Sequence, residues 1–145
     1  MPDKHFEEIV RFYPDVGLTT TIWQPLVSVD LIRPDGQPFT LPLLFDTGAS
    51  TTTLRHNLFP LLGVNSWEDG EPLEVLTAGG EDPVRAYRFQ ATLHILGKVI
   101  HCPIHLQKLP AGQCYMGLLG RELIFEHFGF GFWERTHELY VTLNP

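Results

Sequence analysis

A mainly β fold is predicted for this 145-residue chain by three observations. Turn-forming residues are dense and spread along it, 13 Gly and 12 Pro, which suits many short strands better than a few long helices. From Leu18 onward apolar and polar residues alternate with a period of two, the pattern of strands buried on one face. The composition, 43% hydrophobic and 19% charged, is that of a globular chain with enough apolar side chain to build a core.

Taken in order, Phe6, Ile9, Val10 and Tyr13 have roughly helical spacing, and Pro14 and Gly17 close the segment. A short helix or a docked arm fits equally, so residues 1–17 read as an N-terminal arm and 18–145 as one domain. Val27, Val29 and Leu31 alternate with Ser28 and Asp30, Arg33-Pro34-Asp35-Gly36 supplies a turn, and Phe39, Leu41, Leu43 and Phe45 resume the alternation. That hairpin runs straight into Asp46. The β-branched run 51–53 continues as strand, and Arg55–Leu62 is long enough for about two helical turns. Leu73–Leu76 and Val84–Ile95 form a long hairpin with a glycine-containing tip, and Leu96-Gly97-Lys98 turns the chain into Val99–Leu106. After Gly117–Gly120, Arg121–Phe128 reads as a short helix, followed by a last hairpin through Phe130, Phe132, Leu139, Val141 and Leu143.

Charge and cysteine usage narrow the function classes. Ten Lys+Arg against 17 Asp+Glu give a net charge of −7, so no basic field exists for nucleic acid. No apolar run is long enough to span a membrane and the first residues do not resemble a signal peptide, so a cytoplasmic location is expected. Cys102 and Cys114 match neither a disulfide framework nor a zinc pattern and are expected to be free thiols.

The stretch Leu43-Leu44-Phe45-Asp46-Thr47-Gly48-Ala49-Ser50 ends an apolar strand on an acid and follows it with a small-residue turn. Such a sequence drives a carboxylate to the edge of a hydrophobic core, where burial disfavours its charged form. Gly48 permits close backbone approach, and the Thr47 hydroxyl can bond across an interface. An Asp in a turn is also common, and the tripeptide alone does not separate the two readings.

The wider context does. Asp-Thr-Gly-Ala-Ser after an apolar strand resembles the active-site motif of the aspartic peptidases, and Leu118-Leu119-Gly120 resembles their second element of two apolar residues and a glycine. Leu119-Gly120-Arg121-Glu122-Leu123 is similar to the Gly-Arg turn and C-terminal helix of the retroviral-type, or retropepsin-like, branch. The order of catalytic loop, flap-like hairpin, apolar-apolar-Gly, short helix and final strand extends the resemblance over about residues 18–143. It implies a closed β-barrel of the acid protease type with a flap hairpin and a short C-terminal helix. It also implies an aspartic endopeptidase acting on polypeptides without cofactor or metal.

Peptide hydrolysis of this type uses two carboxylates about 3 Å apart that share one proton. One takes a proton from water while the other polarises the scissile carbonyl. The chain has a single Asp-Thr-Gly and is too short for a second lobe, so the other Asp46 must come from a second copy across a twofold axis. By resemblance, Asp46 is the catalytic carboxylate, Thr47 locks the two loops together and Gly48 offers its backbone to substrate. Ala49, Ser50, Ala78, Gly79 and Gly80 bind substrate, and Leu119, Gly120 and Arg121 support the site and the dimer. Ala49 supplies no hydroxyl to the carboxylate, which implies activity persisting toward milder acid. Ser50 stands where many retroviral members carry an acid that pairs with the arginine corresponding to Arg121, so Arg121 needs another acceptor. A fold relative that no longer cleaves, serving as a dimerisation or peptide-binding module, is the alternative, and an excised domain of a longer protein is a third.

Other groupings are weaker. Glu68, Asp69, Glu71, Glu74, Glu81 and Asp82 make an acidic stretch around the flap, read as a solvated loop or as a charge that opposes flap closure near neutral pH. His101, Cys102 and His105 suggest a metal site, but on a strand the two histidines share one face and Cys102 takes the other with Ile104 and Leu106. His56 and His94 read as surface or satisfied polar residues, and Trp23, Trp67 and Trp133 as core or interface. Phe125, Phe128, Phe130 and Phe132 are candidates for core or for a dimer face.

Overall fold

The structure is a computed structural model that describes residues 8–17, 19–76, 80 and 82–143. Its strands are β1 (Glu8–Arg11), β2 (Tyr13–Val16), β3 (Thr21–Gln24), β4 (Leu26–Ile32), β5 (Pro38–Phe45), β6 (Thr52–Arg55), β7 (Glu71–Val75), β8 (Val84–Ile95), β9 (Lys98–Gln107), β10 (Gly117–Leu119), β11 (Phe128–Trp133) and β12 (Glu138–Leu143). Three short 3₁₀ helices, His56–Leu62, Trp67–Asp69 and Phe125–His127, complete the regular structure of the described residues.

The period-two pattern sets the architecture. Val27, Val29 and Leu31 of β4 and Leu41, Leu43 and Phe45 of β5 are all buried, and the strands pair antiparallel with Val29 opposite Leu41. The turn between them is closed by Gly36 N–H donating to the Arg33 carbonyl at 2.8 Å, with Gly36 at φ 85°. On β9 the residues Ile100, Cys102, Ile104 and Leu106 point to the same interior. The sheet runs β4-β5-β10-β6-β9-β8-β7, and the far half of β8 pairs back onto β4 through Val29 opposite Ile95. A ring-like sheet results, its inward residues meeting in one apolar core.

β10 decides where the site lies. It runs parallel to β5 and antiparallel to β6, filling the slot between them. Strands stand about 4.8 Å apart, so the loop 46–51 joining β5 to β6 must cross roughly 10 Å over the end of β10. Asp46 begins that crossing.

Of the two readings left open for the N-terminal segment, the short helix is excluded: residues 8–11 are a strand docked beside β12, with Val10 opposite Leu139; Phe6 lies outside the described residues. The helix expected over Arg121–Phe128 is a turn followed by the single 3₁₀ turn Phe125–His127. Leu123 adopts φ 60°, which a continuing α-helix does not permit, and the N–H groups of Ile124 and Phe125 both donate to the Arg121 carbonyl. Likewise His56–Leu62 winds as a 3₁₀ helix around Pro60 and ends on Gly63 at φ 74°. The long hairpin is present as β7 and β8, with Leu73 opposite Ala86, and its tip residues Thr77–Gly79 and Glu81 lie outside the described residues. The outer sheet β1-β12-β11 buries Leu139 and Val141 against the ring.

Candidate active site

The loop over β10 is held almost wholly by backbone. Asp46 N–H donates to the Leu119 carbonyl at 3.1 Å, Arg121 N–H to Ala49 O at 3.0 Å and Glu122 N–H to Ser50 O at 2.8 Å. Gly120 N–H donates to the Thr52 hydroxyl at 3.0 Å. Within the loop, Ala49 N–H donates to the Asp46 carbonyl at 3.2 Å and Gly48 N–H to Asp46 Oδ1 at 2.9 Å. A carboxylate oxygen that accepts a backbone N–H two residues on is fixed in direction, leaving the other oxygen for chemistry.

Close approach requires a glycine at 120 and leaves little room beside Gly48. A Cβ on Gly120 would collide with the Thr51 backbone, and one on Gly48 would stand 3.3 Å from Asp46 Oδ1. Gly120 thus lets the turn after β10 lie directly against the loop. Leu119 beneath it is fully buried.

Asp46 opens into a cleft of about 550 Å³. Gly48, Ala49 and Ser50 line it from the loop, Leu73, Val75 and Leu76 from the hairpin, and Thr53, His105 and Gln107 from the floor. The pieces joined by resemblance, catalytic loop, flap strand and Leu118, therefore meet at one place. Thr47 is exposed beside the cleft and is not part of its lining. Ala78 and Gly79 lie outside the described residues; Gly80 is exposed and irregular.

Arg121 acts through its backbone. Its side chain is exposed and makes no hydrogen bond or ion pair to any described residue. The ion pair that supports this region comes from residues the sequence did not single out. Arg88 on β8 meets Glu122 with two contacts, Nη2 to Oε1 at 2.9 Å and Nη1 to Oε2 at 3.4 Å. Thr51 Oγ1 donates to Glu122 Oε2 at 2.8 Å, and Arg88 Nη1 lies 3.2 Å from His105 Nε2. Hydrogen bonds from Arg88 and Thr51 hold the Glu122 carboxyl below the usual carboxylate range. Burial and then the Arg88 charge lower the His105 pKa from 6.5. The sequence signal for this network is faint: Arg88 and His105 fall in the polar register of strands whose alternate residues are apolar.

His105 also answers the question raised by the cysteine. Cys102 is buried with Ile104 and Leu106 while His101 is exposed and bonded to Thr92 Oγ1 at 2.8 Å, so the residues take opposite faces as the alternation predicts. Burial and then Glu122 push the Cys102 thiol up to about 11. Both cysteines are free. In the acidic stretch, Asp69 caps its helix, its Oδ2 accepting from Asn65 N–H and Ser66 N–H, and Glu74 faces Arg85 at 3.9 Å, so these charges are partly answered. Phe128 is core, Phe125 and Phe130 are half-buried, and Phe132 is 41% exposed; three of these rings pack on Phe45. No described helix is long and apolar enough to cross a membrane.

The sequence profile described as "Aspartyl protease" matches residues 27–123, which run from β4 through the turn after β10. The chain belongs to the aspartyl protease family. Its fold is also that of a retropepsin-like aspartic protease from Rickettsia conorii, at a TM-score of 0.61 and 20% identity, over 92% of this chain and 88% of that one. The EIAV protease bound to an inhibitor superposes with a TM-score of 0.46 at 22% identity, over 73% of this chain and 86% of that one. A search of curated protein sequences returned no match. As a member of this family with a retropepsin-like fold, the chain carries its motif aspartate on the loop over β10.

Proposed function

We propose that this aspartyl protease family member is an endopeptidase whose active site forms when two copies bring their Asp46 carboxylates together across a twofold axis. The observation that carries the reading is Asp46 itself: a carboxylate with one oxygen fixed by Gly48 N–H, at the mouth of a cleft about 550 Å³ in volume, in a chain holding a single Asp-Thr-Gly. In the dimer one Asp46 is ionised and takes a proton from a bound water, whose oxygen attacks the scissile carbonyl carbon. The protonated partner donates a hydrogen bond to the carbonyl oxygen as it gains charge. Collapse of the tetrahedral species breaks the C–N bond, and the proton passes to the leaving nitrogen. Thr47 joins the two loops, Gly48, Ala49 and Ser50 with the flap tip Ala78–Gly80 hold the peptide backbone, and Leu119, Gly120 and Arg121 support the loop from below.

The surface around the loop supports pairing of copies. Thr47 and Gly48 are exposed, and the apolar Leu123 and Phe132 are 44% and 41% exposed, with Phe132 in ring contact with Phe45 next to Asp46. Residues 18–145 are taken as the peptidase domain and 1–17 as an arm. The two free cysteines suit a reducing, cytoplasmic setting.

Incubation of wild type and Asp46→Asn with an unfolded protein across a range of pH is the test. The variant keeps an Oδ1 to accept from Gly48 N–H, so its fold is retained, and cleavage is expected to fall by about 10²–10⁴-fold. Equal cleavage by both, or none by a dimeric wild type at any pH, would leave a silent dimerising or peptide-binding module as the reading.

A further inference from the structure

The cleft floor is polar where a ring of apolar strands would ordinarily offer apolar side chains. On β9 the even-numbered residues from Ile100 to Leu106 enter the core, while His105 and Gln107 stand on the other face and line the cleft with Asp46. They are only 7% and 6% exposed. Buried polar groups are ordinarily paired, so their partners matter.

Each retains unused hydrogen-bonding capacity. A guanidinium only donates, so His105 Nε2, 3.2 Å from Arg88 Nη1, must accept, which places the ring proton on Nδ1. No acceptor for Nδ1–H is found among the described residues, and the Gln107 carboxamide makes no hydrogen bond to any of them. Neither group is sealed from the cleft: the one fully buried side-chain nitrogen or oxygen without a partner among the described residues is Arg33 Nε, elsewhere in the fold. The hydroxyls of Thr51 and Thr53 are already engaged as donors, to Glu122 at 2.8 Å and to the Thr51 carbonyl at 3.3 Å. His105 thus offers one donor and Gln107 its amide N–H groups and its carbonyl oxygen, two residues apart on one strand face.

We propose that His105 and Gln107 form a side-chain subsite that selects a carboxamide, Asn or Gln, of the polypeptide substrate. The substrate amide oxygen accepts from His105 Nδ1–H, and its N–H donates to Gln107 Oε1. A carboxylate would meet no cation in the subsite that is not already engaged, because Arg88 is occupied by Glu122, and it would share the cleft with Asp46 and Glu74. An aliphatic side chain would strip water from two polar groups and return no hydrogen bond. His105 and Gln107 are thus specificity residues for the proposed hydrolysis, and the inference rests on that reading for calling the ligand a substrate.

The test uses a peptide pool randomised in sequence and two readouts. Wild type cleaves the pool, and the residues flanking each cut are counted by mass spectrometry; separately, the Asp46→Asn variant is used to capture peptides from the same pool. The expected result is enrichment of Asn or Gln at one position in both, by about tenfold over Leu, one hydrogen bond's share of affinity. In His105→Leu/Gln107→Leu the enrichment should pass to Leu and Met. If that double variant does not fold, Gln107→Leu alone should lower the carboxamide preference several-fold. Enrichment of Leu, Phe or Glu at every position, a preference unaltered by the substitutions, or no peptide retained, would overturn the proposal. Absence of Asp46-dependent cleavage with carboxamide capture intact would defeat the peptidase reading and leave the subsite standing.

Discussion

The loop carrying Asp46 and the wall facing it are built by different means. The loop hangs on backbone: Asp46 on Leu119 O, Arg121 on Ala49 O, Glu122 on Ser50 O. The wall is a side-chain network in which Arg88 and His105 on two neighbouring strands, Glu122 in the turn after β10 and Thr51 at the end of the loop hold one another. Backbone anchoring demands particular residue types, a glycine at 120 and small residues through 47–50, and tolerates little else. Side-chain anchoring demands only that donors meet acceptors, which many residue choices could satisfy. The two regions join at Glu122, whose N–H holds the loop and whose carboxylate holds the wall.

That difference can be broken from either side. Gly120→Ala should have the larger effect, because its new Cβ meets the fixed Thr51 backbone and no flexible side chain can yield. A loss of about 1–3 kcal/mol is expected by chemical denaturation, together with loss of activity as the loop shifts. A stability equal to wild type would mean that β10 and the loop are not held as tightly as their hydrogen bonds imply.

Arg88→Leu attacks the wall. The Arg88 and Glu122 side chains are 31% and 37% exposed, so solvent screens much of the pair and about 0.5–1.5 kcal/mol is expected. The Asp46 loop should survive, since its backbone bonds are untouched. Complete unfolding would place the wall, and not the backbone, at the centre of the architecture.

The smallest effect is a pH dependence. The folded His105 has a pKa below 6.5, so as pH falls through 6.5 the unfolded chain gains a proton that the native ring refuses, and stability declines. Glu122, depressed from 4.5, adds a second decline below pH 4.5 that is complete only beneath its folded value. Both run toward acid. His105→Gln should flatten the upper part of the stability curve and leave the lower part, as followed by urea midpoints between pH 7 and 4; an unchanged slope near pH 6 would remove His105 from the account.

The same contrast explains what was legible beforehand. The strands β4, β5, β9 and β12 could be read because their apolar residues alternate, and the loop because its residue types are dictated by backbone contacts. The 121–128 segment could not, since a left-handed Leu123 leaves no trace in helical spacing. Nor could the wall: residues 51, 88, 105 and 122 are brought together by strand register, Arg88 opposite His105 on β8 and β9 and Thr53 opposite His105 on β6 and β9. Register is a product of the whole sheet and not of any one segment. Ser50 did signal that Arg121 lacked its usual acceptor, and the outcome is that an ion pair from the adjacent residue, Glu122, supports the turn instead.

In the proposed function each chain supplies half of an active site. Mixing wild type with inactive Asp46→Asn tests it most directly, with cleavage measured at fixed wild-type concentration after the subunits exchange. Under a tenfold excess of the variant most wild-type chains are trapped in mixed dimers, and activity should fall to roughly one-tenth. Activity that stays constant as the variant is added would show that one chain cleaves alone, and would contradict the account.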